Sequence, residues 1–128
     1  MLFVLDTHVL IWYFTGNQRL SDTLRDKIDQ VRQQGGRLLV PTIVLAEALN
    51  SATKGRLVFD FPRLYQLVRD EPEFEIVEFG VEVFDETLRV KEISEIHDRI
   101  IVATARFFRA SLLTKDGMIR SSGQINTP

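Results

Sequence analysis

The sequence predicts an α/β fold: a three-layer α/β/α sandwich around a central, mostly parallel sheet of about four or five strands. Three observations carry that expectation. Apolar runs at residues 2–5 and 38–40, and the Leu112-Leu113 pair within 111–114, read as strands buried on both faces, as parallel strands are. Segments with helical spacing and recognisable ends separate them. The chain is 128 residues long and 45% apolar, which suits one compact domain over 1–128 with a real core.

The elements follow in order. Residues 2–5 form the first strand and end at Asp6. Residues 7–14 form a first helix rich in large apolar groups, broken by Gly16-Asn17. Ser21 is an N-cap with Asp22 in the first turn, and Leu24, Ile28 and Val31 recur on one helical face up to Gly35-Gly36. Residues 38–40 form a second strand closed by Pro41. Thr42 opens a third helix that runs to about Lys54-Gly55. Pro62 starts a fourth, with Leu64, Leu67 and Val68 on one face. Residues 74–79 alternate Phe74, Ile76 and Phe79 with Glu75 and Glu78, as in a half-buried or edge strand. Helices over 81–92 and 97–109 precede the last clear strand at 111–114. The tail from Ser121 is polar and reads as loose, with Ile125 able to add a short edge strand.

Composition removes several functions. The chain has no cysteine, which excludes disulfides, zinc–cysteine sites and thiol catalysis and fits a reducing compartment. No apolar run approaches a membrane span, and Met1 leads directly into the first strand with no basic n-region, so a soluble cytoplasmic protein is expected. Net charge is −2, but residues 70–98 hold eleven acidic and two basic residues, whereas 99–128 hold five basic and one acidic. Nucleic-acid binding responds to local patches, so the overall charge leaves it open.

Four acids draw attention. Asp6 and Asp116 follow strands; Glu47 and Asp98 lie on helices among apolar neighbours. Each has an ordinary explanation. Asp6 can cap the helix that Thr7 begins, Glu47 can sit in a salt bridge, Asp98 can favour a helix dipole beside Arg99, and Asp116 can cap the turn over 116–119. None of these explains why all four fall at strand exits or cleft-facing helix positions of one sheet. Carboxylates gathered in a crevice repel one another unless a cation neutralises them, and oxygen donors select Mg²⁺ or Mn²⁺. The chemistry that needs such a set is phosphodiester hydrolysis, with no covalent intermediate.

The motifs resemble those of the PIN-domain family: Leu5-Asp6-Thr7-His8-Val9-Leu10-Ile11-Trp12, Pro41-Thr42-Ile43-Val44-Leu45-Ala46-Glu47, His97-Asp98-Arg99-Ile100-Ile101-Val102-Ala103-Thr104-Ala105 and Leu112-Leu113-Thr114-Lys115-Asp116. Within it, the chain is most similar to VapC-like ribonuclease toxins of type II toxin–antitoxin pairs. The resemblance covers essentially the whole chain. It implies an RNA-cleaving Mg²⁺ or Mn²⁺ site of Asp6, Asp98 and Asp116 with Glu47, directly or through water, and a supporting role for Thr114. It also implies a partner antitoxin and a homodimer. One departure is visible: the stretch entering the sixth helix is compressed to Glu95-Ile96-His97-Asp98-Arg99. Arg99 and Lys115 are candidate phosphate contacts. His8 reads as a helix-start residue, His97 as a backbone partner, and Trp12, Phe107 and Phe108 as core or dimer surface. The competing readings are a PIN-type RNA-processing nuclease without an antitoxin and a catalytically silent α/β binding module. An aspartyl phosphotransferase would want an Asp at position 8, where His8 stands.

Overall fold

The computed structural model describes the backbone of residues 1–128 and every side chain except those of Met118 and Ser121. Four strands form one parallel sheet: β1 (Leu2–Leu5), β2 (Arg37–Pro41), β3 (Phe74–Val77) and β4 (Ser111–Leu113). Their order is β3-β2-β1-β4. Val4 pairs with both Leu39 and Leu112, so β1 is central. Successive residues of β1 and β2 point to opposite faces, yet Val4, Leu5, Leu38, Leu39 and Val40 are all buried. Both faces are therefore covered by helices, which is the three-layer arrangement expected from the unbroken apolar runs.

The helices are α1 (Thr7–Thr15), α2 (Asp22–Gln33), α3 (Thr42–Thr53), α4 (Phe61–Asp70), α5 (Val81–Thr87), α6 (Ile96–Phe107) and α7 (Gly117–Ser122). Their ends follow the local chemistry. Ser21 caps α2 through a bond from Leu24 N, and Asp60 caps α4 through one from Arg63 N. Gly16 closes α1 at φ 66°, a left-handed conformation that glycine adopts without Cβ strain. Arg32 on α2 ties this layer to the sheet edge, bonding Glu71, Glu73 and the Tyr13 hydroxyl.

Two expectations about elements need correction. The fifth helix ends at Thr87 and does not reach 92. Arg99 Nη2 donates to the carbonyls of Thr87 and Val90, and Glu92 turns the chain at φ 64°, so residues 88–95 form a loop that buries Val90 and Ile93. Ile125 adds no strand, and the tail is tied down: Leu112 N donates to Asn126 O, and Asn126 Nδ2 to Ser111 Oγ.

Topology positions the site. From β1 the chain steps outward through β2 to β3, then returns to the other side of β1 as β4. The order reverses between β1 and β4, and ligands of open α/β sheets bind at the carboxyl ends of strands beside such a reversal.

Gly36 sits where this frame is tightest. A Cβ there would meet Val31 Cγ1 at 2.8 Å and the Met1 carbonyl at 2.9 Å. Gly36→Ala should lower stability by about 1–3 kcal/mol, read as a fall in the thermal unfolding midpoint, because backbone must move to admit the methyl. An unchanged midpoint would refute this close approach.

Candidate active site

The carboxyl ends of β1 and β4 open into a cavity of about 510 Å³ whose lining includes Asp6, Glu47, Asp98 and Asp116, the four acids singled out in the sequence. Thr7, His8, His97 and Lys115 share it.

Asp6 is the deepest of the four, only 7% exposed. It is both a cap and a member of the acidic set. Oδ1 accepts the Thr7 N–H at 2.6 Å, and Oδ2 accepts the Thr114 hydroxyl at 2.5 Å. Burial raises its pKa, opposed by these two bonds and by His8, and Asp116 adds to the rise. Thr114, fully buried after β4, does more than touch Asp6: its Oγ1 also accepts the Asp116 N–H at 2.9 Å. One hydroxyl thus joins the two strand-end acids. Asp116 in turn accepts the Ile119 N–H through Oδ1, so it caps α7 as its turn position suggested.

Glu47 projects from α3. Thr7 Oγ1 donates to its Oε1 at 2.7 Å. Its pKa is raised by burial, against the Thr7 bond and His97, with Asp6 and Glu95 raising it further. Asp98 stands at the start of α6, where Glu95 is the N-cap and accepts the N–H groups of His97 and Asp98. Burial and then repulsion from Asp6, Asp116, Glu95 and Glu47 lift the Asp98 carboxyl from 3.8 to about 6. Those four neighbours are charges from four different segments, which is the electrostatic signature of one site.

The basic candidates separate. Lys115 lines the cavity with its ammonium 5.5 Å from the Trp12 ring centre. Arg99 lies outside that lining, its guanidinium engaged with the Thr87 and Val90 carbonyls. Trp12 is 7% exposed and belongs to the core. His8 packs on it at 5.4 Å between ring centres, its pKa lowered first by burial and then by Lys115, against Asp6. Sequence reasoning missed Thr7, Glu95 and the placement of His97. The signals were faint: a hydroxyl directly after a strand-end Asp, and a Glu three residues before Asp98. His97 Nδ1 lies 3.2 Å from Glu95 Oε2 and 3.7 Å from Glu47 Oε2, so it faces carboxylates rather than backbone.

The residues present fit a hard divalent cation. The donors are carboxylate oxygens, they repel one another, and a cation would relieve the repulsion that, after burial, raises Asp98. Asp6, Glu47, Asp98 and Asp116 line one cavity and are the acids that would have to close on such an ion.

Residues 3–122 match the PIN domain model, and the chain belongs to the PIN-domain family. No curated protein matches it in sequence. Among solved structures it is similar to VapBC2 from Rickettsia felis bound to a DNA fragment from their promoter, at 15% identity and TM-score 0.77, covering 100% of this chain and 98% of that one. It is similar to DNA-bound VapBC from Salmonella typhimurium at 19% identity and TM-score 0.69, covering 100% and 98%. FitAcB from Neisseria gonorrhoeae aligns at 16% identity and TM-score 0.68 over 98% and 95%. At these identities the likeness establishes the shared fold.

Two outcomes test the electrostatics. Thr114→Val leaves Asp6 Oδ2 without its donor in a buried place and should cost about 1.5–3 kcal/mol of unfolding free energy; a near-neutral effect would show that the bond carries no weight. Asp98, with its folded pKa raised above the unfolded value, binds its proton more tightly when folded. Its contribution is therefore fully favourable below about pH 4, is lost as pH rises through about 6, and stays lost at neutral pH. Asp98→Asn should stabilise the metal-free protein at pH 7.5 by about 1 kcal/mol after allowance for solvent screening, and not at pH 4. Melting curves in EDTA at both pH values read this directly, and equal effects at the two would contradict it.

Proposed function

We propose that this chain, one PIN-like domain over 1–128, is a Mg²⁺- or Mn²⁺-dependent endoribonuclease and the toxin of a toxin–antitoxin pair. The observation that carries the nuclease reading is the convergence of Asp6, Glu47, Asp98 and Asp116 on one cavity at the sheet's reversal point. The toxin reading rests on the likeness to solved VapBC complexes. On this reading the chain is held inactive by a cognate antitoxin, forms a homodimer and works in the cytoplasm. No helix among the described residues is long and apolar enough to cross a membrane.

When bound, the cation would neutralise phosphate charge and lower the pKa of a water, so that the water gives up a proton and becomes able to attack phosphorus. The chain's own residues supply everything else. Asp6, Asp98 and Asp116 would hold the cation, with Glu47 completing the set. Thr114 fixes Asp6 and Asp116 relative to each other, and Thr7 fixes Glu47. Preset ligands need little reorganisation when an RNA phosphate arrives. Lys115 would take phosphate charge, a role supported by its position at the cavity wall. Arg99 was the other candidate, and its engagement with the Thr87 and Val90 carbonyls favours a structural role for it.

Purified, antitoxin-free protein should cut a total-RNA pool into discrete products with Mg²⁺ or Mn²⁺ and none with EDTA. Asp6→Asn and Asp98→Asn should each lower the rate at least about 100-fold while keeping the native circular dichroism spectrum. Cleavage retained in both folded variants would overturn the assignment.

A further inference from the structure

The lip of the cavity holds a second constellation, of different chemistry. Glu47, Glu95 and His97 each present one ligand atom, and the three lie within 4.8 Å of one another. We propose that Glu47, Glu95 and His97 form a transition-metal site that takes Zn²⁺ in preference to Mg²⁺.

The geometry comes first. His97 Nδ1 stands 3.2 Å from Glu95 Oε2 and 3.7 Å from Glu47 Oε2. Zn²⁺ binds nitrogen and carboxylate oxygen at about 2.0–2.2 Å, and a tetrahedron of that radius has edges of about 3.4 Å. Two of the three pairs bracket that edge and the third lies within 4.8 Å, so rotation of the side chains would bring all three atoms onto one ion.

Orientation is the second point. A metal site works when its ligands are held by other bonds. The Thr7 hydroxyl anchors Glu47 Oε1 and leaves Oε2 toward His97. Glu95 is held as the N-cap of α6 by the N–H groups of His97 and Asp98. His97 and Glu95 are two positions apart at the helix start, and Glu47 comes from α3. The histidine and Glu95 side chains are about half exposed, 45% and 51%, so solvent can reach the open fourth position.

Ligand type then selects the ion. An imidazole with two carboxylates suits Zn²⁺ and disfavours Mg²⁺, which prefers all-oxygen octahedral surroundings. Binding requires the imidazole to keep its proton on Nε2, and any proton on Nδ1 leaves to solvent. The competing account is that His97 only pairs with the two carboxylates and has no metal function.

The site stands whether or not the chain cleaves RNA; only its consequence rests on the proposed function. Zn²⁺ would hold Glu47 away from the Asp6–Asp98–Asp116 set and so inhibit the Mg²⁺-dependent reaction.

The test is Zn²⁺ binding by EDTA-stripped protein, measured by competition with a chromogenic chelator in excess Mg²⁺. Wild type should bind one Zn²⁺, and His97→Asn and Glu95→Gln should each weaken it at least about tenfold. Both positions are half exposed, so the variants should stay folded, and circular dichroism checks it. Equal Zn²⁺ affinity in wild type and both variants, or no competition with the chelator, overturns the proposal. Zn²⁺ lost in Asp98→Asn but kept in His97→Asn also overturns it, by placing the ion in the other set. As a separate arm, Zn²⁺ should inhibit RNA cleavage by wild type and much less by His97→Asn. Zn²⁺ binding with no RNA cleavage under any condition would defeat the proposed function and leave this site intact.

Discussion

The bond from Thr114 Oγ1 to Asp6 Oδ2 spans 108 positions of sequence and sets the geometry on which the cleft depends. It exists because β1 and β4 are parallel neighbours in register, with Leu5 opposite Leu113. The next residue on each strand is then carried to the same end of the sheet. The same hydroxyl accepts the Asp116 N–H, which places a second carboxylate near the first. The other two acids arrive on helices: α3 follows β2 directly, and α6 leads back to β4. Packing the sheet between apolar layers therefore buries carboxylates and brings four of them together, and burial first, then mutual repulsion, raises the pKa values of Asp6, Glu47 and Asp98.

Much of this was legible in the residues. Buried parallel strands leave unbroken apolar runs, and residues 2–5 and 38–40 carried that mark. Ser21 and Gly35-Gly36 bounded α2 by local capping alone. Asp6 is instructive because its two readings are both realised: it caps α1 and it faces the cavity. A cap needs a carboxylate oxygen at a helix start, and a helix start after a buried strand is also where a cleft opens, so one placement serves both.

What stayed hidden was set by long-range contacts. Arg99 is next to Asp98 in sequence, which suggested a role at the cleft. Helical geometry turns neighbouring side chains about 100° apart, and Arg99 points to the α5–α6 loop. The helix α5 ends at Thr87, whose carbonyl accepts from Arg99, a long-range contact that the residues of 81–92 do not reveal by themselves. His97 looked like a backbone partner because Glu47 lies 50 positions away. Thr7 read only as a helix opener, since its bond to Glu47 depends on how α1 and α3 meet.

The central claim is that the four acids form one mutually repelling set suited to a divalent cation. It is tested most directly by following the Asp98 side-chain carboxyl carbon by NMR against pH, in EDTA and again in saturating Mg²⁺. The account predicts a midpoint near 6 without metal and a large downward displacement with it. A midpoint near the ordinary 3.8 in EDTA, or one that Mg²⁺ does not move, would contradict it.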